Sequence, residues 1–201
     1  AFVTGDALRI TRQALSLPHV RLEGFHCHIG SQVFDSSVYI ATVDVMVDFL
    51  KDIKDTCGYE AQVLDIGGGY GVRYTAADPV MDIAANIRQV ADRMKEQVAA
   101  VGISIPHIYM EPGRSIVADA CLTLYTVGAV KKIEGYKNYV SVDGGMTDNP
   151  RYALYQSEYT VLPAARMDAP RDMIADVVGR CCESGDIIQP EVDLPEPKRG
   201  E

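Results

Sequence analysis

A chain of 201 residues can bury one large hydrophobic core or two small ones. Its hydrophobic content of 47% and charged content of 23% are those of an ordinary globular protein; a net charge of −9, with Lys131-Lys132 and Lys198-Arg199 as the sole adjacent basic pairs, argues against a nucleic-acid surface. No apolar run suits a membrane span, no charged-then-apolar leader opens the chain, and five cysteines without repeated spacing do not form a secreted disulfide framework, so the expected compartment is a reducing cytoplasm.

Residues 4–17 carry Ala7, Leu8, Ala14 and Leu15 at helical intervals, and Pro18 marks the end. Residues 20–29 (VRLEGFHCHI) read as a strand despite Gly24. Ser37 is the expected cap of a long helix reaching about residue 57, with Val43, Val47, Leu50 and Lys54 recurring on one side. Residues 61–71 (AQVLDIGGGYG) read as a buried strand breaking into a glycine turn. A helix over 82–100 and a strand over 105–114 (IPHIYMEPGR) follow.

Strand, helix, strand, helix, strand is the order of parallel α/β construction. The polar or glycine-rich strand ends recur about every 40 residues, which fits successive units of a (β/α)8 barrel whose strand C-termini share one functional face. A doubly wound open sheet would give the same order. Beyond Arg114 the texture changes. Residues 122–133, 139–142, 159–162 and 174–178 are short, rich in Val, Thr and Tyr, and separated by turns such as GYKN and DGGMTDNP. The expected fold class is therefore α/β plus all-β, with an α/β domain over 1–115 and a β domain over 116–201. The start at Ala1 without a methionine and the polar ending LPEPKRGE lead us to expect part of a longer protein.

The strand ends carry the candidate chemistry. Gly67, Gly68 and Gly69 could present unobstructed backbone N–H groups to a phosphate, with Ser31 on a neighbouring strand end; a tight turn is the plain alternative. DIGGGYG is neither GxGxxG nor a P-loop. His26 and His28 alternate on one strand and share a face, with Cys27 opposite. No carboxylate or cysteine partner for a metal follows from their spacing, so no metal site is expected, and His28, nearer the strand end, is the better functional candidate. In EPGR, Glu111 could pair with a protonated ring nitrogen and Arg114 could hold an anion, unless the tetrapeptide is a solvated turn. A phosphate, a flat ring and an anionic substrate together suggest pyridoxal 5′-phosphate.

Five stretches occur in order: HCHIGSQ (26–32), LDIGGGYG (64–71), EPGRSIVA (111–118), VDGGMTDNPRYALY (142–155) and CCESGD (181–186). Together they resemble the diaminopimelate decarboxylase family, pyridoxal-phosphate enzymes of the alanine-racemase-like class. HIGS, GGG and EPGR are shared with ornithine and arginine decarboxylases of that fold, whereas DNPR-x-ALY and CESGD point more narrowly to diaminopimelate. The resemblance implies the C-terminal part of a cofactor-binding (β/α)8 barrel followed by part of a β-sandwich or β-barrel domain. It implies decarboxylation of meso-2,6-diaminopimelate to L-lysine by a homodimer with shared active sites. The rivals are a decarboxylase of the same fold acting on ornithine or arginine, a non-catalytic cofactor-binding relative, and a cofactor-free anion-binding module.

Roles follow from the resemblance position by position. His28 would stack on the pyridine ring, and Ser31, Gly67, Gly68, Gly69 and the Gly113-Arg114 segment would hold the phosphate. Glu111 would pair with the ring nitrogen. Arg114 would also help hold substrate, Arg151 and Tyr155 would grip the remote carboxylate, and Glu183 would recognise the remote ammonium. Cys182 would protonate the carbon left by CO2, while Cys181 packs inward. The family's cofactor-bearing lysine precedes HIGS, and none of Lys51, Lys54, Lys95, Lys131, Lys132, Lys137 or Lys198 stands in such a motif. The 201-residue chain alone is therefore expected not to turn over.

Overall fold

The computed structural model describes residues 3–201; residues 1 and 2, where the first expected domain begins, lie outside the described ones. The chain forms two compact units, one of residues 3–73 and 79–120, the other of residues 74–78 and 121–201. The division falls after residue 120 rather than 115, because residues 114–117 form a helical turn that stays with the first unit.

The first unit opens with helix α1 (Asp6–Ser16) and continues through strand β1 (Gly24–His26), helix α2 (Ser36–Cys57), strand β2 (Val63–Gly68), helix α3 (Ile83–Val101), strand β3 (His107–Glu111) and the short helix α4 (Arg114–Val117). The three strands form a parallel sheet in the order β1-β2-β3. The expected strand over 20–29 contracts to Gly24–His26, although the Cys27 N–H still donates to the Asp65 carbonyl at 2.9 Å. Asp35, not Ser37, caps α2: its carboxylate accepts from the Ser37 N–H at 2.8 Å, which leaves Ser37 inside the first turn. Asp82 does the same for α3 through the Ala85 N–H, and both helices end on a left-handed glycine, Gly58 and Gly102.

One face of the sheet is covered. Val43, Val47 and Leu50 of α2 and Val90, Met94 and Val98 of α3 pack with Leu64 and Ile66 into a single core. Arg93 straps the two helices together through a two-pronged bond to Asp44, at 2.7 and 3.1 Å. Leu64, fully buried, lies level with Phe25 on β1 and Ile108 on β3. Leu64→Ala should lower the unfolding free energy by about 3 kcal/mol, whereas Val45→Ala on the outer side of α2 should change it by less than about 0.5 kcal/mol; urea denaturation of the two variants checks this contrast.

Alternation places His26, Asp65, Tyr109 and Glu111 on the opposite, open face of the sheet. That face is where the strand-end chemistry stands.

The second unit contains strands β4 (Val127–Lys132) and β5 (Asn138–Val142), helix α5 (Arg151–Tyr155), and strands β6 (Met173–Val178) and β7 (Ile187–Leu194). They form a four-stranded sheet in the order β4-β5-β6-β7, antiparallel except for the parallel β5–β6 pair. Val140, Val142, Met173, Ala175, Val177 and Ile188 make its core. Residues 159–162, expected as a strand, are irregular; the Tyr159 N–H instead donates to the Gln189 side chain at 2.7 Å.

Strand β7 escapes a sequence reading because Pro190 interrupts it. The sheet absorbs the proline in a bulge: Val177 is level with Gln189 and Ala175 with Val192, so β7 carries one extra residue between these two pairs. Glu191 takes a φ of 51°, and its N–H is captured by the buried Asp176 carboxylate at 2.9 Å. The same carboxylate holds Lys137 at 2.9 Å. Among the described residues no helix is long and apolar enough to cross a membrane.

Candidate functional site

In a parallel sheet all strand C-termini fall on one edge, and here that edge collects HCHIGS, GGG and EPGR. The glycines make the approach possible. A Cβ on Gly68 would lie 1.8 Å from the Glu111 carbonyl oxygen, one on Gly67 2.5 Å from the Cys27 oxygen, and one on Gly69 1.9 Å from the Gly30 oxygen. Gly67 and Gly69 also take φ values of 70° and 87°. The triple glycine is therefore the point where three backbone segments meet.

Its N–H groups are less open than expected. Gly67 donates to Asp65 Oδ1 at 2.8 Å, closing a turn, and Gly68 makes a long 3.5 Å contact to His28 Nδ1. The following loop is locked as well. The Gln32 side chain exchanges two hydrogen bonds with the backbone of Val72, at 2.9 and 3.0 Å, and Val33 pairs with Gly69 and Gly71. This holds Gly30 against the glycine turn, with the exposed Ser31 next to it in the chain.

His26 and His28 both lie on the open side, while Cys27 packs toward the helices, where burial first and the nearby Asp65 second raise its thiol pKa. The sequence spacing offered the histidines no carboxylate partner, but the neighbouring strands supply two. Nitrogen and oxygen atoms of His26, Asp65 and Glu111 lie within 4.8 Å of one another, and His26 Nε2 is 3.2 Å from Glu111 Oε2. Sequence proximity could not have revealed this, since the three residues come from three strands; the register that levels His26 with Asp65 and Gly68 with Glu111 creates it.

Gly113, with a φ of 36°, turns the chain into α4, and the half-buried Arg114 has its Nη1 buried with no partner among the described residues. An orphaned guanidinium nitrogen calls for an acceptor. The same strand ends carry a carboxylate whose Oε1 makes no hydrogen bond among the described residues, an exposed imidazole, and the glycine turn that His28 and Asp65 flank. This donor set fits an anionic, nitrogen-containing aromatic group such as pyridoxal phosphate.

In the second unit, VDGGMTDNPRYALY folds as a tight turn leading into α5. Asp148 accepts from the Gly145 N–H at 2.8 Å and from the Tyr125 hydroxyl at 2.5 Å, and burial first, then Asp148, raises the Tyr125 pKa. On α5, Arg151 lies 5.7 Å over the Tyr155 ring, its Nη2 donates to Ser157 at 3.3 Å, and its Nε is buried without a partner among the described residues. Tyr155 itself is exposed.

The CCESGD loop is organised by Asp186, which the sequence reading left without a role. This buried carboxylate accepts from the Met146 and Cys181 N–H groups, each at 2.6 Å, and so ties residues 145–146 to the loop of residues 179–186. Gly145 and Gly179 press against it: a Cβ at either would sit 2.8 or 2.3 Å from its oxygens. Cys181 is half-buried, and burial, followed by Asp186, raises its thiol pKa. Cys182 and Glu183 stand exposed at the tip, where Glu183 Oε1 accepts from Ser184 Oγ and Gly185 N at 3.2 and 3.3 Å. Several lysines are held in ion pairs: Lys51 with Asp55, Lys54 with Glu60 and Lys132 with Glu196 at the surface, and Lys137 with the buried Asp176.

Residues 2–118 match the family described as "Pyridoxal-dependent decarboxylase, pyridoxal binding domain". The chain is 41% identical over 197 residues to diaminopimelate decarboxylase of Bacillus subtilis, covering 98% of this chain and 45% of that protein. It is 40% identical over 184 residues to the enzyme of Staphylococcus aureus, covering 91% and 42%. Among solved structures, diaminopimelate decarboxylase from M. jannaschii in complex with L-lysine superposes with a TM-score of 0.82 at 28% identity, covering 98% of this chain and 44% of that one. The chain thus spans less than half the length of the relatives it matches.

Proposed function

This chain belongs to the pyridoxal-dependent decarboxylase family, and we propose that the intact protein decarboxylates meso-2,6-diaminopimelate to L-lysine and CO2. The observation that carries the substrate assignment is Arg151, whose Nε is buried without a partner among the described residues. A substrate with a second carboxylate satisfies such a guanidinium, whereas ornithine has nothing to offer it. Similarity to diaminopimelate decarboxylases across 98% of the chain supports the same reading.

In this proposal Gly67, Gly68, Gly69, Ser31, Gly113 and Arg114 hold the cofactor phosphate, His28 covers the ring face, and Glu111 pairs with the ring nitrogen. Bound pyridoxal phosphate supplies an electron sink for the bond that breaks. Arg151 and Tyr155 fix the remote carboxylate, Glu183 reads the remote ammonium and hence its configuration, and Arg114 helps orient the reacting end. Cys182 Sγ delivers the proton that replaces the departing carboxylate at Cα, and solvent reprotonates the thiolate. The barrel and β-sandwich architecture, a homodimer in which Cys182 serves the partner's site, and a cytoplasmic location complete the proposal.

The test is a comparison of substrates with the intact protein and added pyridoxal phosphate. Lysine formation from meso-diaminopimelate should exceed decarboxylation of L-ornithine and L-arginine by about 10²-fold or more in kcat/KM. Preference for ornithine or arginine would reassign the substrate, and a protein that acquires no cofactor absorbance would overturn the enzymatic reading.

A further inference from the structure

We propose that His26 is a positioning residue for Glu111, holding one carboxylate oxygen so that the other is presented to the cofactor's ring nitrogen. The inference rests on the proposed role of Glu111 at that nitrogen.

Three observations carry it. First, His26 Nε2 lies 3.2 Å from Glu111 Oε2, and because a carboxylate can only accept, the proton of that bond sits on Nε2. Second, Oε1 has no hydrogen-bond partner among the described residues, so the pair leaves one acceptor directed by the other. Third, Asp65 cannot substitute for His26. It offers no donor, its Oδ1 is already engaged by the Gly67 N–H at 2.8 Å, and its proximity to Glu111 adds like-charge repulsion that a donor must counter. A carboxylate on an open strand end, beside a second carboxylate, would otherwise rotate freely. The imidazole removes that freedom.

The pair does little for the fold itself. Within this chain its side chains are 52% and 58% exposed, and ion pairs in that setting contribute little to stability. A structural role and a positioning role therefore give different results.

The experiment measures pyridoxal phosphate affinity of the intact protein by absorbance and fluorescence titration. The amide nitrogen of Gln reaches about as far as Nε2 of His, whereas that of Asn falls short. His26→Gln should bind within about twofold of wild type, and His26→Asn about tenfold more weakly, the size of a lost hydrogen bond to a charged group. Both should keep the melting midpoint within about 3 °C. In a Glu111→Ala background, His26→Asn should cause no further loss. Wild-type affinity in His26→Asn, or a tenfold loss that persists without Glu111, would overturn the proposal. If wild-type protein gains no cofactor absorbance, the cofactor reading fails as well, and the two failures are thereby distinguished.

Discussion

Gly68→Ala is expected to be among the most destabilising single-methyl additions at the strand ends of the intact protein. The new Cβ would stand 1.8 Å from the Glu111 carbonyl oxygen, and backbone cannot swing aside as a side chain does. Strands β2 and β3 would have to part at the register that brings Glu111 to the rim. Overpacking costs about 1–3 kcal/mol where neighbours can adjust, so a loss of about 3 kcal/mol or more is expected here. Gly102→Ala is the control. It meets no atom within 4 Å but keeps a φ of 72°, and should cost about 1 kcal/mol. Chemical denaturation of the two variants gives both numbers. A Gly68→Ala midpoint close to that of Gly102→Ala would show that the strands accommodate the methyl group, and the close approach would lose its explanatory weight.

Cys182→Ala is expected to have the largest effect on turnover. Cys182 is exposed at the tip of a loop that Asp186 holds by two backbone hydrogen bonds, and nothing in that anchoring depends on the Cys182 side chain. Removing the thiol should leave the loop and cofactor affinity intact while kcat falls by about 10²- to 10⁴-fold, the range for loss of a positioned general acid. Cys181→Ala should change kcat only a few-fold, because that side chain is half-buried beside Asp186 rather than exposed at the loop tip. Steady-state kinetics alongside cofactor titration separates the two cysteines. An unchanged rate in Cys182→Ala would remove it from the mechanism.

The two cysteines also show how far neighbouring residues can diverge. Their spacing is the same to any sequence pattern, yet Cys181 lends its N–H to Asp186 and Cys182 does not. The same contrast appears at HCHIGS: the sequence favours His28 because it stands nearer the strand end, whereas only the pairing of three strands places Glu111 beside His26.

The sequence by itself determined the order of strands and long helices in the first unit, the apolar face of α2, the change of texture after residue 114, and the five ordered stretches that carry the family likeness. These are local properties, set by periodicity, turn residues and motif identity within a few residues of one another. The tertiary structure alone decided which of those residues meet. His26, Asp65 and Glu111 converge from three strands, Asp186 ties two loops about 40 residues apart, and Pro190 survives in a strand because a bulge and the Asp176 carboxylate accommodate it. Each depends on strand register and backbone approach between distant segments, and register is a property of paired strands rather than of either strand alone.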